Sequence, residues 1–309
     1  MKSTYPSVLS PNKIPNLPII TPENSPFGVT VFVKRLDLVH PLVSGNKFFK
    51  LKYNLQHARK KGHDTLLTFG GAYSNHIYAT SAATKSDNFK AIGIIRGEAT
   101  TELNPTLSFA KKNGMLLSYM DRKQYRQKHT TEVINMLHKE FGDFYLIPEG
   151  GTNQLAIKGA MEILTEEDQE MDYICSSIGT GGTISGLIGS ALSHQKVLGF
   201  SSLKGRFIIQ EVEQLLRKYH IRPSCGWEIF TNYHFGGYAK HHPDLIDFIK
   251  NFNKKFQIPL DPIYTGKLFY GAMDLLKNNY FPEGSKVLLI HSGGLQGVEG
   301  FNLRHHENI

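Results

Sequence analysis

Residues 31–55, VFVKRLDLVHPLVSGNKFFKLKYNL, place a lysine where its amine could do covalent chemistry. A strand-like run passes through the turn-prone Ser44-Gly45-Asn46 into Lys47, which opens an amphipathic helical pattern. Lysines are mostly exposed, and Lys47 read by itself would be one more solvated side chain. A second motif changes its meaning. Residues 177–186, SIGTGGTISG, set a strand end against a helix start. Backbone N–H groups in such a turn point at one spot, and the helix N-terminus adds positive potential, so a phosphate can bind there without a cationic side chain. Gly179, Thr180, Gly181, Gly182 and Thr183 make up that turn. A tight turn without a ligand is the plainer reading of the same glycines. An amine and a phosphate cradle together would suit one molecule carrying both a carbonyl and a phosphate.

Further motifs could serve the same site. Gly70-Gly71-Ala72-Tyr73-Ser74-Asn75-His76 again runs from strand to helix. Ser74 is a natural helix N-cap, which alone could explain it, yet Ser74 with Asn75 also suits the grip on a carboxylate or a ring oxygen. Tyr238, in FGGYA, and Tyr264, in DPIYTGK, could each donate or accept a proton. Buried tyrosines are more often packing residues with one satisfied hydroxyl. His291-Ser292-Gly293-Gly294 follows an apolar run near the C-terminus. The turn at Gly179 is not a dinucleotide fingerprint, which would need glycine at Ile184, and no P-loop, G-x-S-x-G or H-E-x-x-H is present.

The elements that must position these residues alternate in type. Strands are expected at 29–33, 65–69, 91–95, 115–117, 144–147, 173–178, 196–200 and 286–290. Helices are expected near 47–61, 75–85, 103–112, 123–140, 153–165, 181–193, 205–219, 242–255 and 266–279. That alternation implies βαβ units and mostly parallel sheets with helices on both faces. Glycine pairs follow the strands at Gly70-Gly71, Gly150-Gly151, Gly181-Gly182 and Gly293-Gly294. Ligands of open α/β sheets bind outside the carboxyl ends of the strands, so these turns should converge on one cleft. Residues 1–28 hold many of the prolines and read as an extended arm laid over the body.

Composition narrows the classes. The chain has 309 residues, 40% hydrophobic and 20% charged, as in an ordinary globular protein. A formal charge of +8 raises the question of nucleic acid, but the basic residues are scattered. The densest cluster, Arg122, Lys123, Arg126 and Lys128, reads as the solvated face of one helix. A basic balance equally suits a small anionic cofactor and a carboxylate substrate. Cys175 and Cys225 lack a paired spacing, which argues against a disulfide framework or a zinc site and fits a reducing cytoplasm. The adjacent pairs His241-His242 and His305-His306 read as surface residues, so no metal is expected. No secretion signal and no membrane-spanning run is seen.

In order, KRLDL…SGNKFFKL, GGAYSNH, SIGTGGTISG, GGYA, DPIYTGK and HSGG resemble the pyridoxal-phosphate enzymes of the 1-aminocyclopropane-1-carboxylate deaminase and D-cysteine desulfhydrase group, over about residues 28–300. The resemblance implies a tryptophan synthase β-like α/β fold (fold type II), with two open, twisted, mostly parallel sheets flanked by helices. It implies a large cofactor-binding domain from residues 1–49 and 151–309, a small domain from 50–150, and a cytoplasmic homodimer. By resemblance, Lys47 is the Schiff-base lysine, Asn46 binds the 3-hydroxyl oxygen, and Lys50 lies near the phosphate held by residues 179–183. Ser74 and Asn75 match residues that hold the substrate carboxylate, with Ser74 also a proton-transfer group. Tyr238 and Tyr264 match two active-site tyrosines, and His76 stands where the family has glutamine or histidine.

Departures from the pattern bear on the substrate. The deaminase branch has glutamate after the second tyrosine and leucine after the last histidine, where this chain has Thr265 and Ser292, as in the desulfhydrase branch. Thr265 is expected near the pyridine nitrogen, where a hydroxyl can only hydrogen-bond an unprotonated ring and leaves it a weaker electron sink. The expected reaction is therefore β-elimination from D-cysteine or an analogue to pyruvate, ammonia and sulfide. The alternatives are ring opening of 1-aminocyclopropane-1-carboxylate to 2-oxobutanoate and ammonia, or dehydration of D-serine. A non-enzymatic phosphate- or nucleotide-binding protein is a more distant reading, since no acidic residue is placed to read a ribose, and a nucleic-acid binder is more distant still. Leu36 stands where the family usually has aspartate, and Phe48-Phe49 where threonine-arginine is usual.

Overall fold

In the computed structural model, which describes residues 10–21, 25 and 27–309, the alternating pattern closes into two sheets. The strands are β1 Asn16–Ile20, β2 Thr30–Arg35, β3 Thr65–Gly70, β4 Lys90–Arg96, β5 Met115–Met120, β6 Tyr145–Ile147, β7 Tyr173–Ile178, β8 Lys196–Ser201, β9 Gly226–Phe230 and β10 Lys286–His291. One sheet has the order β1-β2-β10-β7-β8-β9 and the other β5-β4-β3-β6. Every pairing is parallel except β1 with β2. The α/β fold with two mostly parallel sheets is thus the one expected.

Side-chain alternation sends each central strand into two cores at once. From β10, Val287 and Leu289 join Val31 and Val33 on one face, while Leu288 and Ile290 pack on the other with Ile174 and Ile178. Near-continuous apolar runs are what a parallel strand covered on both faces requires. The family departures Leu36, Phe48 and Phe49 all lie in this second core. They therefore change packing behind the site and do not line the inner cavity.

Several elements differ from expectation. Strands β1 and β9 and the helix Gln296–His305 were not foreseen. β9, GWEIF, starts on glycine, carries a charge and pairs only with β8 as an edge strand, so its apolar signal is weak. The helix expected at 123–140 is two, Arg122–Arg126 and Thr131–Phe141, because Asp121 and Thr130 each cap a separate start. The one expected at 153–165 ends at Ala160 and tightens into a 3-10 turn, Met161–Ile163. Of the arm expected over 1–28, residues 1–9, 22–24 and 26 lie outside the described residues. Its described part includes β1, an integral antiparallel edge of the six-stranded sheet with Leu17 opposite Val33.

Candidate active site

Lys47 is placed by the turn before it. Asn46 N–H donates to the Ser292 carbonyl at 3.2 Å, which ties the start of the helix Asn46–Lys60 to the end of β10. Gly45 makes this approach possible: its φ is +68°, and a Cβ there would lie 2.0 Å from the Ser292 oxygen. The half-buried Lys47 Nζ donates to Asn46 Oδ1 at 3.1 Å, and Asn46 Nδ2 donates to Thr183 Oγ1 at 2.8 Å. Two hydrogen bonds therefore link the lysine to the glycine turn. Burial lowers the Lys47 amine to about 8, against an opposing pull from the Asp261 charge.

The turn itself closes β7 onto the helix Gly182–Ser190, with Gly181 left-handed at the N-cap. Beside it, Lys50 Nζ donates to Thr152 Oγ1 at 3.0 Å, and Thr152 and Thr180 share a 2.6 Å hydroxyl contact. A Cβ on Gly182 would sit 2.9 Å from Thr152 Oγ1 and 3.0 Å from Lys50 Nζ, filling the hollow between them. Burial, and then the Lys47 charge, hold Lys50 well below the usual lysine range. His76 adds a third buried nitrogen group. Thr68 Oγ1 gives its proton to the Ile147 carbonyl, so His76 Nε2 must be the donor in its 2.8 Å contact with Thr68. That leaves His76 Nδ1 unprotonated, buried and without a partner. Burial and the nearby Lys47 and Lys50 push His76 well below its ordinary value. Two desolvated amines and a helix N-terminus around one hollow suit an anion, and a phosphate-bearing aldehyde fits them.

Lys47, Lys50, Ser74, Asn75, His76 and residues 179–183 line one cavity of about 350 Å³, together with Asn46, Tyr238, Tyr264 and Ser292. Ser74 Oγ caps the helix Asn75–Ser86, accepting from the N–H groups of His76 and Ile77. Its hydroxyl proton stays available. Asn75 Oδ1 accepts from Gln296 Nε2, which leaves the Asn75 amide N–H groups for a ligand. The Tyr264 ring lies against the glycine turn, since a Cβ on Gly179 would be 3.0 Å from its Cε1. Tyr238 meets it edge-on, with ring centroids 6.1 Å apart. Burial first, and Tyr238 next, hold the Tyr264 phenol well above its ordinary value, so it stays protonated.

Thr265 corrects one expectation. It is fully buried, and its hydroxyl donates to Asp261 Oδ2 at 2.7 Å and not into the cavity. Asp261 also accepts from the backbone of Ile263, Tyr264 and Thr265, so Thr265 serves the turn that presents Tyr264. The hydroxyls at that side of the cavity belong to Ser292 and Ser177, 3.3 Å apart. Sequence reasoning passed over Ser177, Thr152, Arg96 and Glu149. Glu149 was within reach, because it directly precedes the Gly150-Gly151 pair that follows a strand. It accepts from Tyr125 at 2.9 Å and pairs with Lys128 at 3.1 Å. Among the described residues no cluster of His, Cys, Asp or Glu could hold a metal, and no helix is long and apolar enough to cross a membrane.

Comparison with known proteins agrees with this geometry. The family model described as "Pyridoxal-phosphate dependent enzyme" matches residues 12–293. A Pyrococcus horikoshii protein provisionally named as a 1-aminocyclopropane-1-carboxylate deaminase is 33% identical over 289 residues, 88% of this chain and 86% of that one. The mitochondrial bifunctional D-cysteine desulfhydrase/1-aminocyclopropane-1-carboxylate deaminase of Arabidopsis thaliana is 30% identical over 88% of this chain and 74% of its own. A crystal structure of an ACC deaminase homologue superposes with a TM-score of 0.80 at 28% identity, covering 97% of this chain and 98% of the other.

Proposed function

The chain belongs to the family of pyridoxal-phosphate-dependent enzymes, and on that footing we propose that it deaminates a small amino acid, with D-cysteine or a close analogue eliminated to pyruvate, ammonia and sulfide. The observation that carries this reading is the pair of hydrogen bonds joining Lys47 through Asn46 to Thr183 in one cavity. When bound, the cofactor supplies an electron sink conjugated to the substrate α-carbon. Lys47 is the anchoring amine. Lowered to about 8, it has a free-base fraction large enough at neutral pH to remove an α-proton. Residues 179–183 and Lys50 hold the phosphate. Asn75 N–H groups and the Ser74 hydroxyl hold the substrate carboxylate, with His76 behind them. Tyr264, kept protonated, gives a proton to the departing β-group, with Tyr238 beside it.

Elimination is favoured by what faces the inner cavity. Its only lining carboxylate among the described residues is Glu149, already engaged by Tyr125 and Lys128. Ser177 and Ser292 present hydroxyls, so no acid there strengthens the electron sink. Loss of hydrosulfide, a good leaving group, needs less of it than opening a cyclopropane. Ring opening to 2-oxobutanoate and ammonia is the second reading, because relatives on both sides of the comparison bear that name. Keto-acid release from D-cysteine, 1-aminocyclopropane-1-carboxylate and D-serine, measured side by side, decides between them. Lys47→Ala should remove the visible absorbance of the bound cofactor and its borohydride-reducible attachment; an unchanged spectrum rejects Lys47 as the anchor.

The same reading gives a large domain from 1–49 and 151–309, a small one from 50–150, and a cytoplasmic homodimer that takes no nucleic acid. Supporting the division, β3 to β6 fall between residues 65 and 147 and make the smaller sheet. Light scattering from the purified protein should give twice the chain's mass.

A further inference from the structure

Outside the inner cavity lies a larger one, of about 610 Å³. Gly71, Asn75, Arg96, Glu149, Tyr238 and Tyr264 line both, so the two are joined and the outer one is the approach to Lys47. Its wall is cationic. Arg96 comes from the end of β4, Arg122 and Arg126 from the short helix Arg122–Arg126, Lys128 from the turn after it, and Arg304 from the helix Gln296–His305. Two carboxylates face these five cations, Glu149 and Asp261. Neither is free. Lys128 and Tyr125 hold Glu149, and the turn at residues 263–265 saturates Asp261. Among the described residues no carboxylate pairs with Arg96, Arg122, Arg126 or Arg304; Arg96 and Arg304 only lie over the rings of Tyr125 and Tyr73.

Arg122, Lys123 and Arg126 form the exposed helix face that the sequence suggested, and Arg122 and Arg126, with Lys128 after them, also line the vestibule. A compact amino acid such as D-cysteine, held at the inner cavity, would leave the four solvent-exposed guanidiniums of Arg96, Arg122, Arg126 and Arg304 without an anionic partner. Guanidinium is the side chain best suited to grip carboxylate or phosphate oxygens in pairs, and like charges lining a cleft concentrate anions in it. We infer that the substrates this enzyme prefers are amino acids whose side chain extends beyond the β-carbon and ends in an oxyanion, carboxylate or phosphate, seated in the arginine vestibule. The inference rests on the deaminase reading for the position of the amino-acid end and names what lies at the other end.

The test reads binding, so it does not depend on turnover. Holoenzyme is titrated calorimetrically at low ionic strength with serine, O-succinylserine and O-phosphoserine, each as both enantiomers. At least one anionic probe should bind about tenfold or more tighter than serine, and the succinyl and phospho arms distinguish carboxylate from phosphate. The preference should shrink as salt rises and collapse about tenfold in the triple variant Arg122→Gln, Arg126→Gln, Arg304→Gln. Anionic probes that bind no better than serine overturn the inference, and so does a preference that survives the triple variant. Keto-acid release from the small amino acids judges the underlying deaminase reading separately, so the two can fail independently.

Discussion

Asn46 hands its side-chain amide to the Thr183 hydroxyl, 137 positions away, at 2.8 Å, while its carbonyl oxygen accepts from Lys47 Nζ at 3.1 Å. One asparagine therefore fixes both the amine and the start of the phosphate turn. Asn46→Ala removes both contacts without opening a large hole. A neutral hydrogen bond contributes roughly 1 kcal/mol, so the apoprotein should lose about 1–2 kcal/mol of stability, and cofactor affinity should fall about fivefold or more as the amine and the turn lose their shared tether. Fluorescence titration with pyridoxal phosphate checks it. Unaltered affinity would show that the link is incidental.

Gly182→Ala puts a methyl group into the hollow, 2.9 Å from Thr152 Oγ1 and 3.0 Å from Lys50 Nζ. Gly182 lies within a helix, so alanine there costs nothing in backbone strain. The loss should fall mainly on the ligand: at least about tenfold weaker cofactor binding, with about 1–2 kcal/mol lost from the apoprotein as Thr152 shifts away from the methyl group. Inorganic phosphate competing with the cofactor in the parent, and failing to compete in the variant, would locate the defect at the phosphate. An equal competition in both would place the phosphate elsewhere.

Parallel strands written as short apolar runs, and the glycine pairs after them, were legible because both patterns are local. What local pattern does not encode is which partner a side chain meets. Thr265 sits one residue from Tyr264, and only the fold shows its hydroxyl spent on Asp261. Arg122 and Arg126 are exposed, as their spacing suggested, but only the fold shows that the helix Gln296–His305 brings Arg304 to the same cavity. That helix, with three glycines or small polar residues among its ten, has little apolar periodicity to reveal it. His76 illustrates the reverse: its position was marked, but the direction of its unpartnered Nδ1 depends on Thr68 and Ile147 from other strands.

Lys47 gives a pH prediction. Its amine is lowered from 10.5 to about 8, so below 8 it is mostly ammonium and above 8 mostly the nucleophilic free base. The rate at which apoprotein takes up pyridoxal phosphate should rise about tenfold per pH unit on the acid side and level off above about 8. Stopped-flow absorbance measures it. A rise that continues to pH 10 would mean an ordinary solvated lysine.

Lys267 offers a stability test apart from the cofactor. It is fully buried, donates to the Gly237 carbonyl at 2.8 Å just before Tyr238, and is lowered from 10.5 to about 8, burial outweighing the pull of Asp261. Between those values the unfolded chain binds the proton that the folded one has released, so stability rises with pH across about 8 to 10.5. Below 8 both states carry it, and the folded state bears the full cost of a buried charge, on the order of 3 kcal/mol. Lys267→Met removes the proton and the hydrogen bond together. Denaturant unfolding at pH 7 and pH 10 should therefore show the variant losing part of the parent's gain across that interval, whatever its absolute stability. Identical pH slopes would show that Lys267 titrates as an exposed lysine does, and that the latch on the Tyr238 loop is not under desolvation strain.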